Sequence, residues 1–222
     1  KDTILEVKDL TTHFYTDDGV IPAVDRVSFS ILKGETLGIV GESGSGKSVT
    51  AIYHAAATTP PAKIVEGAIY FKGEDLLSKT QEEIHKIRGN QVSMIFQKPM
   101  ISQIPYILLY YRPSDLRNQL TYLFISHDLR VVKHISDRIA VMYLGKIVEL
   151  APADELFNKP AHPYTQALLS AIPALDPNKK KQKHLLEGEV PAPLILPKGA
   201  GSTLDAVLSK SFVEKPNHNK NI

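Results

Sequence analysis

Residues 36–49 read TLGIVGESGSGKSV, and no other stretch constrains the fold as strongly. The first five, 36–40, are almost wholly apolar, as a strand buried on both faces of a parallel sheet must be. A loop of Gly41, Glu42, Ser43, Gly44, Ser45, Gly46, Lys47 and Ser48 follows, matching G-x-x-x-x-G-K-[ST]. Its glycines let the backbone turn so that successive N–H groups face inward and cradle phosphate oxygens. Lys47 opens a segment predicted to be helical to about residue 57, where Pro60 and Pro61 stop it. A helix N-terminus favours anions, so loop and helix act together. In this pattern Lys47 reaches the terminal phosphates and the Ser48 hydroxyl can ligate Mg²⁺. Gly41 through Ser48, with Val49 behind them, are the candidate nucleotide-binding residues. The buried strand before the loop and the helix after it are the context the pattern requires.

Around this unit the chain alternates strand and helix patterns. Residues 5–8 and 24–31 alternate apolar and polar, and the Asp17-Asp18-Gly19 turn between them predicts a hairpin. Strands are predicted at 68–71, 92–96 and 122–126, and helical spacing at 80–87 and 128–135. Residues 138–150 read as strand–turn–strand about Leu144-Gly145, and short helices are predicted at 153–157 and 164–172. A polar lysine-rich linker (176–183) and a proline-rich stretch, EVPAPLILPKG, come next. The last residues, from about 212, are polar and expected to fray.

Composition narrows the function classes. With 43% hydrophobic residues among 222, a sizeable core is available. The net charge of +2 supplies no bulk argument for a nucleic-acid partner, and no aromatics interleave with the lysine run. The absence of cysteine removes disulfides, thiolate zinc sites and iron–sulfur clusters. The first residues contain no secretory h-region, and no apolar run approaches the ~20 residues of a membrane span. A soluble, cytoplasmic domain is the plain expectation.

Further stretches carry a family resemblance. MIFQKPM (94–100) resembles a Q-loop ending a core strand, with Gln97 the matching residue. TYLFISHDL (121–129) resembles a strand with a switch histidine, matched by His127. DRIAVMYLGKIVELAPADELFNKPAHPYTQALLSAIP (137–173) resembles the closing strands and following helices, and HPYTQALLSAIP with the later GEVPAP points to one branch. The chain thus resembles the ATP-binding subunits of ABC transporters, most closely those of oligopeptide and dipeptide importers. The resemblance implies an α/β P-loop NTPase of ABC ATPase type, with a mainly parallel sheet and an N-terminal antiparallel β segment. A nucleotide-binding domain would span 1–150 and an importer-type extension 151–222. The implied activity is ATP hydrolysis coupled to peptide transport, with ATP and Mg²⁺ as ligands. Gln97 and His127 would be catalytic, Ser48 and Gln97 would hold Mg²⁺, and an aromatic of the first hairpin, Phe14 or more favourably Tyr15, would stack on adenine. The implied partners are a second ATP-binding subunit and integral membrane permease subunits, at the cytoplasmic face of the membrane.

The chain also departs from that family. Only 29 residues separate Gln97 from His127, too few for a helical subdomain, and no LSGGQ-type signature occurs. The stretch ILLYYRPS (107–114) has the shape of a Walker B strand, yet Tyr111 and Arg112 stand where Asp and Glu would be. Tyrosine supplies no carboxylate, and arginine stays charged and cannot act as a base. Losing a general base forfeits ~10²–10⁴-fold in rate, so the alternative is a nucleotide-binding module without hydrolysis. The cysteine segment that follows GEVP-type stretches in importer subunits is absent, and the helix after the loop is unusually alanine-rich. Three origins stay open: a longer chain of which these residues are a discontinuous part, a degenerate paralogue, or an engineered fragment. The first is favoured, because deleting a central strand and helix exposes apolar faces at a cost that is large against a total stability of ~5–15 kcal/mol.

Overall fold

The computed structural model describes residues 2–17, 19–54, 61–88, 90–93, 107–108 and 120–172. Two sheets build it. In the first, β1 (Thr3–Thr16) and β2 (Gly19–Leu32) form the hairpin expected around the Asp17–Gly19 turn. On the other side of β1 lies β4 (Ala62–Phe71), followed by β5 (Glu74–Asp75), giving the antiparallel order β2-β1-β4-β5. In the second, β3 (Thr36–Val40) lies between β7 (Tyr122–Ile125) and β8 (Arg138–Tyr143), parallel to both. Its outer strands, β6 (Ile107–Leu108) beside β7 and β9 (Lys146–Pro152) beside β8, run antiparallel.

The parallel strands are buried on both faces, and their side-chain alternation divides the core in two. Leu37, Ile39, Leu123, Ile125, Ala140 and Met142 face the first sheet, meeting Leu10, Val27, Phe29 and Ile69. Val40, Phe124, Ile139, Val141 and Tyr143 face the other way, onto Val132 of α3 (Leu129–Ile135), Leu156 of α4 (Ala153–Asn158), and Tyr164 and Leu169 of α5 (Pro163–Ser170). Each large apolar side chain buried this way contributes about 1.5–3 kcal/mol. Helices α4 and α5, beyond residue 150, therefore share a core with the strands that present the loop.

Local signals set the helix starts. α1 (Lys47–His54) begins where the glycine loop ends. α2 (Gln81–Ile87) starts in a capping box between Thr80 and Glu83. For α3, Asp128 accepts the Arg130 N–H at 2.9 Å, and α5 carries Pro163 in its first turn. Among the described residues no helix is long and apolar enough to cross a membrane.

Three differences from the expected elements have physical causes. β4 begins at Ala62 rather than at residue 68, because backbone pairing with β1, from Phe14↔Ala62 to Thr11↔Glu66, draws in a segment in which only Ala62 and Ile64 pack against the core. The strand expected from residue 92 is only a bridge between Arg88 and Val92 within the described residues. β6, the start of the Walker B-like stretch, runs antiparallel to β7, so the chain leaves it towards the edge where β7 begins. The 13 residues that join the end of β6 to β7 are ample for the short return that an antiparallel pair needs. Gln97, Tyr111, Arg112 and the sequence after Ile172 lie outside the described residues.

Candidate phosphate-binding site

β3 delivers the glycine loop to the carboxyl edge of the parallel strands, where ligands bind in such sheets. Tight backbone contacts shape the loop. Gly46 has φ +95°, and a Cβ there would stand 2.4 Å from the Ala23 carbonyl oxygen of β2. Gly44, with φ +81°, has open space around it. The Ser45 carbonyl accepts the Gly145 N–H at 3.1 Å, and the Gly145 carbonyl accepts the Asp25 N–H at 2.9 Å, tying the loop to the β8–β9 turn and to β2. Thr50 of α1 donates both its N–H and its hydroxyl to the Gly46 carbonyl, at 2.9 and 3.0 Å.

Lys47 folds back into this frame. Its ammonium donates to the Gly41 carbonyl at 2.9 Å, to the Glu42 carbonyl and to Ser45 Oγ at 3.1 Å. Burial pushes its pKa down to about 8, against an upward pull from the Glu42 carboxylate. Among the hydrogen bonds of the described residues, none engages the backbone N–H of Gly44, Gly46, Lys47 or Ser48. Beside them lies a cavity of about 330 Å³, lined by Ala23, Gly41, Ser43, Gly44, Gly46, Lys47, Ser48, Val49 and His127. A larger hollow of about 500 Å³ runs along residues 62–67 of β4 and Leu77, away from the loop. The smaller one has the donor chemistry: free N–H groups, an ammonium and hydroxyls, with no carboxylate among its described lining residues. That set fits a polyphosphate.

The structure thus brings His127 to the loop although 79 positions separate it from Ser48. His127 is exposed, just beyond β7, because β7 runs parallel to β3 and ends at the same edge. Glu42 and Ser45 belong to the loop but not to the cavity lining. Tyr15 also stands outside that lining, on β1, 45% exposed and tilted against His13 with ring centroids 6.4 Å apart. Phe14 beside it is half-buried. Among the described residues no cluster of three or more His, Cys, Asp or Glu is placed to hold a metal ion. Of the two residues expected to hold Mg²⁺, Ser48 lines this cavity and Gln97 lies outside the described residues.

Two participants have no signature in the local sequence. Ala23 enters the lining through the hairpin. Tyr164 reaches the loop from α5, where its hydroxyl accepts the Glu42 N–H at 3.1 Å. The HPY run was a family mark, but nothing in it points to residue 42.

Residues 24–137 match the ABC transporter family model, and residues 148–201 match the model for the oligopeptide/dipeptide transporter C-terminal region. The oligopeptide transport ATP-binding protein AppD of Bacillus subtilis is 33% identical, over 89% of this chain and 86% of the relative. The chain belongs to the ABC transporter family. OppF of Escherichia coli, also an oligopeptide transport ATP-binding protein, is 32% identical over 88% of this ABC chain and 86% of its own length. Solved cassettes share the fold. A nucleotide-free ATP-binding cassette from an ABC transporter superposes with a TM-score of 0.53 at 17% identity, covering 75% of this chain and 98% of that one. A dimeric cassette in a post-hydrolysis state, bound to ADP and Pi, gives 0.52 at 15% identity, covering 67% and 98%. The AppD alignment runs over 284 positions yet takes in 89% of a 222-residue chain, so about 86 positions of AppD face no residue here.

Proposed function

We propose that this chain is an ATP-binding subunit that hydrolyses ATP to power peptide transport through an integral membrane permease. The observation that carries the reading is the shared cavity of Lys47, Ser48 and His127 at one edge of the parallel strands. Oligopeptide transport ATP-binding relatives supply the substrate class. The loop N–H groups and Lys47 hold the β- and γ-phosphates, and Tyr15, exposed on β1, is available to stack on adenine. Ser48 and Gln97 hold Mg²⁺, which neutralises charge on the phosphates when bound. His127 contacts the γ-phosphate, and with Gln97 it orients the attacking water. Catalysis of this kind rests on positioning and electrostatics more than on covalent chemistry. The working unit pairs two ATP-binding subunits at the cytoplasmic face of the membrane, with residues 1–150 as nucleotide-binding domain and 151–222 as extension.

A second reading, ATP binding without hydrolysis, is favoured by a separate observation. No carboxylate is among the described residues that line the cavity, and about 86 positions of AppD are unmatched. One experiment separates the two. Mg-ATP binding and phosphate release are measured for the chain and for Lys47→Ala. Release above that control, falling when His127 or Gln97 is changed to Ala, supports hydrolysis. Binding without release supports the second reading, and binding undiminished in Lys47→Ala refutes both.

A further inference from the structure

Tyr164 is 1% exposed and stands 122 positions from Glu42, yet its hydroxyl accepts the Glu42 N–H. That N–H belongs to the Gly41–Glu42 peptide, whose carbonyl accepts from Lys47 Nζ at 2.9 Å. In a trans peptide the N–H and C=O point in opposite directions. The unit is therefore gripped on both sides, by α5 through its N–H and by Lys47 through its carbonyl. Turned over, it would present its N–H where the carbonyl now meets Lys47.

The phenol is held firmly in place. His162 Nδ1 accepts the Tyr164 N–H at 3.1 Å. Glu149 of β9 accepts the N–H groups of Ala161 and His162 at 2.9 and 3.0 Å. The Tyr164 ring packs on Tyr143 at the end of β8, with centroids 4.4 Å apart. Burial also pushes the Tyr164 hydroxyl up to about 12, so it stays neutral at working pH.

We propose that Tyr164 is a positioning residue for the phosphate loop: its hydroxyl fixes the Gly41–Glu42 peptide, and with it the resting place of Lys47. The C-terminal extension is then a structural part of the nucleotide site. This rests on the reading of the loop as a nucleotide-phosphate site. Tyr164→Phe removes one oxygen and keeps the ring against Tyr143. It leaves the half-buried Glu42 N–H without its acceptor, a loss that corresponds to roughly tenfold in affinity.

The test uses the full chain and two probes, Mg-ATP and inorganic tripolyphosphate. Tyr164→Phe is expected to weaken both by the same factor, roughly tenfold, and to raise the amide-exchange rate of Glu42 towards that of Gly44, because the Glu42 N–H loses its acceptor. Leu169→Ala, a packing change in the same helix, is expected to lower Tm and leave both affinities unchanged. Equal affinities for Tyr164→Phe and the unmutated chain overturn the inference, as does equal weakening by Leu169→Ala. Amide exchange in the unmutated, ligand-free chain tests the bond independently of nucleotide and of how the variant folds. Glu42 should exchange more slowly than Gly44, and equal rates overturn the inference. Failure of the unmutated chain to bind either probe, with Glu42 still protected, refutes the nucleotide reading and not the bond.

Discussion

Two glycines of the phosphate loop separate a conformational cost from a steric one. Gly44 and Gly46 both have left-handed backbone, at φ +81° and +95°. An alanine in that region costs about 1–2 kcal/mol whatever surrounds it. At Gly44 nothing lies within 4 Å of the added methyl, so Gly44→Ala should cost that amount and no more. At Gly46 the methyl would meet the Ala23 carbonyl oxygen at 2.4 Å, Met142 Cε at 3.3 Å and Gly145 Cα at 3.4 Å. Ala23 lies within β2, and Gly145 is bonded on both sides, to Ser45 and to Asp25, so neither backbone can yield cheaply. Overpacking against such neighbours adds about 1–3 kcal/mol. Gly46→Ala should therefore cost roughly 2–5 kcal/mol in all. Urea titration with an unchanged m-value reads both numbers from the midpoint shift. Equal losses for the two variants would refute the reasoning, because it assigns the difference to contact between the loop and β2.

Three further outcomes follow from charges next to the loop and the strands. Lys47 has a folded pKa of about 8 against an ordinary 10.5, so the unfolded chain binds more protons between those values. The free protein should then gain stability as pH rises through that window. A bound polyphosphate favours the ammonium instead, so Mg-ATP binding should take up a proton above pH 8 and weaken there. Calorimetry in two buffers of different ionisation enthalpy detects this, and zero uptake at pH 8.5 contradicts it. Arg138 donates to Glu35 Oε1 at 3.0 Å, while Oε2 accepts the Leu32 N–H at 2.7 Å and Glu35 is 3% exposed. Arg138→Met should cost about 3 kcal/mol by stranding that carboxylate. Adding Glu35→Gln should recover part of the loss, and additive losses in denaturant titrations would show that the two side chains are not coupled.

Much of the architecture was legible in local sequence because local physics decides it. The apolar run at 36–40 could be nothing but a doubly buried strand, and the glycine pattern behind it specified phosphate chemistry before any fold was known. The hairpin and the helix starting near residue 128 were written as alternation, turn residues and helical spacing. Other features depended on pairing across the chain, which no window of sequence contains. Residues 62–67, with only Ala62 and Ile64 turned to the core, became part of β4 because β1 offered them backbone partners. β6 pairs antiparallel with β7, a direction that its apolar residues do not specify. His127 was picked out in the sequence only by family resemblance, and the parallel register of β3 and β7 is what brings it to the loop's cavity. The bond from Tyr164 to Glu42 joins a helix after the last strand to the turn after the third. It exists only because both faces of one sheet had to be covered, and that packing brought α5 to the loop.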